Sequence, residues 1–410
     1  MSRFHVALST PTLAARLGRE SVASLAAKLI ASRSATSRAE IGRATGLSRS
    51  TVDAGVETLL RLGAIRAAGL HATPGRGRPA ETLELAPTFG VILAADCGAT
   101  LTRVCAFDLG QRVLGEREID LRIDSGPEPV LAVLVRTFEE LLADTGLAQA
   151  PRTVVVGLPG PVDYWGGTVV RPPIMPGWDG FPVVAHLEES LGASAVLEND
   201  VNLRALGEAR SAGSYRGPLL YLKVGSGIGA GIIGSDGAIF RGADGAAGDI
   251  GHLRIAGSTA ECACGATGCL EALASVRAIG SALGLQDRPD AALVEQVLDL
   301  VRRHNRRTIT LVRERAEHIG DIAVSLIHCF NPERVVVGGR LALASDDLLA
   351  GIRSIVYRRA LPLATRTLTI ARPTLGMASG TAGALAIGIE TALEPEAIAG
   401  RMAARSKGRD

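Results

Sequence analysis

The chain has 410 residues, 47% of them hydrophobic and 21% charged, with a formal net charge of +2. That length and composition bury a sizeable core and exceed one ordinary domain. The longest apolar runs, such as "FGVILAA" and "GALAIGI", fall short of the roughly 18 residues a bilayer crossing needs, which excludes a helical span, and six cysteines in so large a chain do not make a disulfide scaffold.

The opening "MSRFHVALSTPTLAARLGRE" lacks a continuous apolar segment and a cleavage pattern, so residues 1–20 read as a loose cytosolic lead-in and the protein as cytoplasmic. Residues 1–85 hold 12 Lys and Arg against 6 Asp and Glu, while the remainder holds 32 against 36. A basic head on a mildly acidic body is the distribution expected when only the head meets nucleic acid.

Within the head, "SVASLAAKLIAS" has helical periodicity, and "TSRAEIGRATG" opens with Ser37 and Glu40 in capping-box spacing before Gly46 ends the helix. "LSRSTVDAGVETLLRLG" predicts a third helix with Val52, Val56, Leu59 and Leu60 on one face. Two short helices around a glycine turn make a helix-turn-helix, which offers the N-terminal side chains of its second helix to base edges. Arg49, Ser50 and Thr51 are the candidates there, with Arg38 on the preceding helix. Two strand-like runs then flank "GRGRP", a wing whose Arg76 and Arg78 suit a minor groove. The competing reading is a solvated basic hairpin on a three-helix, protein-binding domain.

From Phe89 the chain alternates strands, glycine turns and helices, an α/β organisation. "GVILAADCGATLTRVCAFDLGQRVLGE" turns near Gly98, and "PLLYLKVGSGIGAGIIGSDGAIFRG" repeats the plan with Gly225, Gly227 and Gly229 at its turn. The repetition predicts two lobes, each pointing a hairpin whose backbone amides suit phosphate into a shared cleft. In "ENDVN", Asn199 and Asp200 begin a helix; Asp200 either accepts a proton from an alcohol or caps the helix, and capping is the commoner role.

"GDIGH" places Asp249 three residues before His252, and "ECACGATGCLE" follows with Cys262, Cys264 and Cys269. Three thiols with His252 as the nearest fourth ligand predict a tetrahedral Zn2+ site, structural because protein fills every position. The alternative is a thiol cluster that binds nothing. Cys97, Cys105 and Cys329 lie in apolar patterns and read as core residues.

"GLPGPVD", "ENDVN", "GSGIGAG", "GDIGH" and "CACGATGCLE" stand in an order that resembles the ROK family of repressors, open reading frames and kinases, over about Phe89 to Leu393. The resemblance implies a winged helix-turn-helix followed by a two-lobed, actin-like and ribonuclease H-like sugar-kinase fold. The boundaries expected are 1–85 for the head, 86–205 for a small lobe, 206–376 for a large lobe with the zinc site, 377–395 for a helix returning to the small lobe, and 396–410 for a disordered tail. It implies His252, Cys262, Cys264 and Cys269 as zinc ligands, and Asn199, Asp200, Asp249, His252 and Glu271 as sugar contacts. Asp249 stands where members commonly have Glu.

In the family's kinases the Asp matching Asp200 is the base, and Asp96, Gly98, Thr100, Gly225, Ser226, Gly227, Gly338 and Gly339 match the loops that hold ATP. "DCGAT" departs from the family's Asp-x-Gly-Gly-Thr at Ala99, where a left-handed backbone would cost roughly 1 to 2 kcal/mol. Leu101 and Ile174 depart too, which argues against ATP and Mg2+ as cofactors. Two functions follow: a homodimeric or homotetrameric regulator that reads an AT-rich inverted-repeat operator and responds to a sugar or sugar phosphate, or an active sugar kinase carrying a DNA-binding head.

Overall fold

A computed structural model describes residues 6–9, 22–71, 80–99, 101–146, 151–211 and 217–407. Thr100, Arg76 and Arg78 lie outside the described residues.

The head begins with α1 (Val22–Ala31), α2 (Arg38–Thr45) and α3 (Arg49–Leu62). Ser37 and Glu40 form the expected capping box, and Gly46 ends α2 in the left-handed conformation that glycine adopts without a Cβ penalty. Ser48 caps α3, whose Val52, Val56 and Leu59 turn inward against Leu25, Leu29 and Ile41. Leu60 is only half-buried. The antiparallel pair β1 (Ile65–His71) and β2 (Ala80–Leu85) completes a winged helix-turn-helix.

Two sheets form the body, each an antiparallel hairpin extended by parallel strands. In the first, β3 (Val91–Cys97), β4 (Thr102–Asp108) and β5 (Val113–Ile119) are antiparallel, and β6 (Thr153–Leu158) and β9 (Ser194–Asn199) follow, in the order β5-β4-β3-β6-β9. A small pair, β7 (Val162–Asp163) and β8 (Thr168–Val169), lies between them in sequence, and α4 (Pro127–Thr145) and α5 (Val183–Leu191) connect the strands. In the second sheet β10 (Leu219–Val224) and β11 (Ile228–Ile233) form the hairpin, and β12 (Arg334–Gly338) and β13 (Thr369–Ala371) extend it in the order β11-β10-β12-β13. The inner parallel strands β6 and β12 are buried along their whole length, which is why they read as continuous apolar runs.

Helices α7 (Leu270–Ala274), α8 (Val276–Ala282), α9 (Asp290–Arg302), α10 (Arg306–Phe330), α11 (Arg340–Ala344), α12 (Asp346–Arg359) and α13 (Pro362–Thr365) surround the second sheet. The expected boundary at residue 205 runs through the middle of α6 (Asp200–Arg210). This helix packs against both β11 and the late helix α14 (Ser379–Ala392), which lies in turn on β3 and β6. A Cβ on Gly207 of α6 would collide with the Ser379 carbonyl oxygen, and one on Gly383 of α14 with that of Leu203, so the two backbones touch directly. Glu208 fixes the same crossing: its buried carboxylate accepts from Thr374 N at 2.8 Å, Thr374 Oγ1 at 2.7 Å, Leu375 N at 2.9 Å and Ser379 Oγ at 2.8 Å.

The head shares a core with this layer. Ser24 Oγ donates to the Leu393 carbonyl at 2.6 Å, and Lys28 pairs with Glu394 at 3.2 Å. Two expectations fail. Residues 396–407 are not a tail but lie in helix α15 (Pro395–Lys407), which starts with a proline at its first position and buries Ile398. Cys329 is exposed on α10, whereas Cys97 and Cys105 are buried in β3 and β4. Among the described residues no helix is long and apolar enough to cross a membrane.

Candidate functional site

Between the two sheets lies an open cleft. Its wall carries Asn199, Asp200, Asp249, His252 and Glu271 together, along with Lys223 and Ile174.

Asn199 ends β9 and caps α6. Its Oδ1 accepts from Val201 N at 2.9 Å and Asn202 N at 3.2 Å, and its Nδ2 donates to the Gly160 carbonyl at 3.0 Å. The capping role expected of Asp200 therefore belongs to Asn199, one residue earlier. Asp200, almost fully buried, accepts a short hydrogen bond from Lys223 Nζ and lies 4.0 Å from Arg204 Nε. Arg204 Nη2 reaches Asp96 Oδ2 at 2.8 Å and Oδ1 at 3.0 Å, while its Nε has no hydrogen-bond partner. Burial pushes the Asp96 carboxyl above the ordinary carboxylate value, and the adjacent Arg204 guanidinium opposes that push. Two carboxylates thus face two cations of the same chain.

Neither Lys223 nor Arg204 was a sequence candidate. The available signal was a lone cation in each of two largely apolar stretches, "LLYLKV" and "VNLRAL". A charge buried in such a setting has to be paired.

The cysteine loop sits beside the cleft. Among the described residues, one group of metal-competent side chains appears, His252, Cys262, Cys264 and Cys269, whose ligand atoms lie within 4.8 Å of one another. Cys264 Sγ and Cys269 Sγ are 3.8 Å apart, and Cys262 Sγ is 3.6 Å from His252 Nδ1. Tetrahedral zinc with Zn–S bonds near 2.3 Å requires sulfur separations of about 3.8 Å, so the set fits a metal ion. The other imidazole nitrogen, Nε2, lies 3.9 Å from Asp249 Oδ1. Glu271 Oε2 accepts from Ile228 N at 2.9 Å, tying the cysteine loop to the second glycine turn.

Gly98 N donates to the Leu101 carbonyl at 2.9 Å and Gly225 N to the Gly227 carbonyl at 3.0 Å, so both glycine turns close on themselves. A narrow recess between them is lined by Gly98, Gly225, Ser226 and Gly339. Asp96 and Gly338 do not line it, and Gly227 faces the larger cleft. Ala99 is not among the described non-glycine residues with positive φ, which are Arg33, Gln111, Arg171, His304 and Asn331. The expected backbone strain is therefore absent, and the Ala99 methyl acts by occupying space on the walls of both cavities.

On the head, Arg49 is almost fully exposed, with its Nε 3.8 Å from Asp53 Oδ2, and Ser50 is exposed, while the Thr51 hydroxyl is 2.8 Å from Ser48 Oγ. Arg38 is engaged internally, with Nη1 3.2 Å from Asp53 and Nη2 2.6 Å from Glu57.

Comparison with known proteins matches the ROK family's sequence profile to residues 92–391. The chain belongs to the ROK family. It is 30% identical over 343 residues to a putative xylose repressor of Caldicellulosiruptor sp. strain Rt8B.4, covering 79% of this chain and 84% of the relative. It is 28% identical to a glucokinase of Thermotoga maritima over 311 residues, 72% of this chain and 96% of the relative. A solved ROK family transcriptional regulator, a homologue of the E. coli MLC protein, superposes with a TM-score of 0.75, covering 92% of this chain and 97% of that one at 23% identity, and so shares the fold. The winged head and the two-lobed ROK sugar-kinase fold are thus both present in one chain.

Proposed function

We propose that this ROK protein is a sugar-responsive, DNA-binding transcriptional repressor of carbohydrate genes, working in the cytoplasm, and that it does not phosphorylate its ligand. The observation that carries this reading is the Lys223–Asp200 ion pair. A base that must take a proton from a sugar hydroxyl is already neutralised by a cation from its own chain. Phosphoryl transfer depends mostly on positioning and charge compensation, and here Arg204 and Lys223 stand among the carboxylates that such a reaction uses.

In this reading Asn199, Asp200, Asp249, His252 and Glu271 hold the sugar, because carboxylates and amides bind neighbouring hydroxyls. His252, Cys262, Cys264 and Cys269 hold Zn2+, which supplies a structural brace. His252 then contributes Nδ1 to the brace and presents Nε2 to the cleft, so loop and sugar contact are set together. Arg49, Ser50 and Thr51 read bases, with Arg76 and Arg78 of the wing in the minor groove. A homodimer reads an inverted repeat with half-sites about 34 Å apart or a multiple of that. Sugar shifts operator affinity by binding one lobe arrangement better than the other. The relatives named as repressors and the winged head support this reading.

The decisive experiment pairs two measurements on the full chain. Operator fragments should be bound in a footprint with two-fold symmetry, and incubation with ATP, magnesium and a panel of hexoses, pentoses and N-acetylhexosamines should release no ADP above background. Robust turnover sinks the non-enzymatic reading in favour of a kinase with a DNA-binding head, which the intact Gly225–Gly227 turn would serve.

A further inference from the structure

Between β11 and His252 the chain crosses from one sheet to the other and back. Ile239 bridges to Ile233 and Phe240 N donates to the Ile232 carbonyl at 2.8 Å, so the crossing starts on the second sheet. Ala230 N donates to the Gly248 carbonyl at 2.8 Å, so it also ends there. Its middle lies against the first sheet's side of the molecule. A Cβ on Gly245 would stand 2.4 Å from the Val162 carbonyl oxygen of β7, and the Gly245 φ is +84°, so a glycine is required. Arg241 makes the other crossing contact. Its Nε donates to Glu198 Oε2 at 2.8 Å, its Nη2 lies 2.7 Å from the same oxygen, and its guanidinium carbon stands 3.9 Å from the centre of the Tyr164 ring. Glu198, near the end of β9, is 2% exposed, and its Oε1 accepts from Asn199 N and Asn202 Nδ2, both at 2.9 Å. A carboxylate so buried has to be paired, and its cation comes from the far sheet.

Both ends of this connection reach the cleft. Asn199 follows Glu198 directly, and the chain from Gly245 to Asp249 lines the same cavity, as does His252. Arg241 itself does not line it. We infer that Arg241 is a positioning residue: through Glu198 and Tyr164 it fixes how far Asn199 stands from Asp249 and His252, and so sets which polyols the two walls bind together. This role rests on the sugar-binding reading of the cleft. A guanidinium suits it, because one edge pairs with a carboxylate while its face stacks on a ring, a combination that a lysine ammonium does not reproduce.

The test makes two measurements on the full chain. Amide hydrogen exchange without ligand should quicken about fivefold or more in Arg241→Met, both in residues 241–249 and in residues 162–164, since one side chain holds the two segments together. Titration calorimetry with free pentoses, hexoses and N-acetylhexosamines should show the best-bound sugar held about tenfold more weakly by the double variant Glu198→Gln, Arg241→Met, although removing both members of a buried ion pair leaves the melting temperature near that of the parent. Arg241→Lys keeps the charge without the full ring contact and should bind with intermediate affinity. Parental affinity in the double variant, or in Arg241→Lys where the double variant does not fold, overturns the positioning role and leaves the pair a stability element. Exchange unchanged in either segment overturns it too. A parent chain that binds no sugar of the panel defeats the sugar reading instead, and the exchange result alone then decides whether Arg241 holds the two walls together.

Discussion

Arg210 and Ala7 exchange hydrogen bonds: the Ala7 N–H donates to the Arg210 carbonyl at 2.6 Å, and Arg210 Nη1 to the Ala7 carbonyl at 3.3 Å. Arg210 is the last residue of α6, and Asp200, in the cleft wall, is the first. One helix about 16 Å long thus runs from the cleft to the segment that precedes the head. Arg210→Ala should leave operator affinity without ligand nearly unchanged and shrink the ligand-driven change in that affinity by roughly fivefold or more. Fluorescence anisotropy with and without ligand checks this; an unchanged ligand effect would rule out the route through α6.

The paired charges in the cleft predict strong non-additivity. Asp200→Ala leaves Lys223, mostly buried, without its partner and should cost about 3 kcal/mol in denaturant-monitored stability. Asp200→Ala combined with Lys223→Met should recover a large part of that loss. Additive losses would mean that the pair does not interact in solution.

Much of this arrangement was legible in residues. The Ser37–Glu40 capping box, the repeated strand-turn-strand plan and the Cys262–Cys269 spacing are local patterns, and local hydrogen bonding or ligand geometry fixes what they form. What escaped depended on partners far along the chain. Lys223 acquires meaning only when β10 meets Asp200 across 23 residues, and Arg204 only when α6 meets Asp96 across 108. Arg38 looked available to DNA until α3 brought Asp53 and Glu57 against it. Residues 396–407 looked like a polar tail because, among the described side chains, one buried residue, Ile398, is a weak signal.

The His252–Cys262–Cys264–Cys269 cluster, which fits a metal ion, predicts a separation of functions. Purified protein should carry roughly one zinc ion per chain, as a closed four-ligand site implies. Cys264→Ser should lose the ion by elemental analysis and weaken ligand binding about tenfold through the displaced His252. Operator affinity without ligand should survive, since the head contributes no residue to the cluster.

Two arginines of the head should behave differently on DNA. Arg49→Ala removes a solvent-exposed charge held only by a loose, 3.8 Å pair with Asp53 and should lower both operator affinity and the salt dependence of binding, the latter by about one unit of slope. Arg38→Ala breaks ion pairs with Asp53 and Glu57 and should cost up to about 1 kcal/mol of stability with no change in slope. A slope change in Arg38→Ala would return that residue to the DNA surface.

Acid should loosen the same head through Glu40. The Thr36 backbone N–H, with further donors from Thr36 and Ser37, holds this carboxyl below its ordinary value. A depressed folded value means that the stabilisation is present above the unfolded value of about 4.3 and is lost as pH falls through the folded one. Glu40→Gln should flatten this part of the acid profile, measured by circular dichroism.

The bare crossing of Gly207 and Gly383 has a mechanical consequence. With no side chains between them and Glu208 clamping the junction, α6 and α14 cannot slide past one another. They form a stiff crossbar. One end carries Asp200 and abuts Asp96 through Gly380, and the other reaches Ser9 through Glu390. In the proposed regulator, this crossbar would carry a displacement at Asp200 to Ser9 and the head as a rigid lever rather than through a soft chain of contacts.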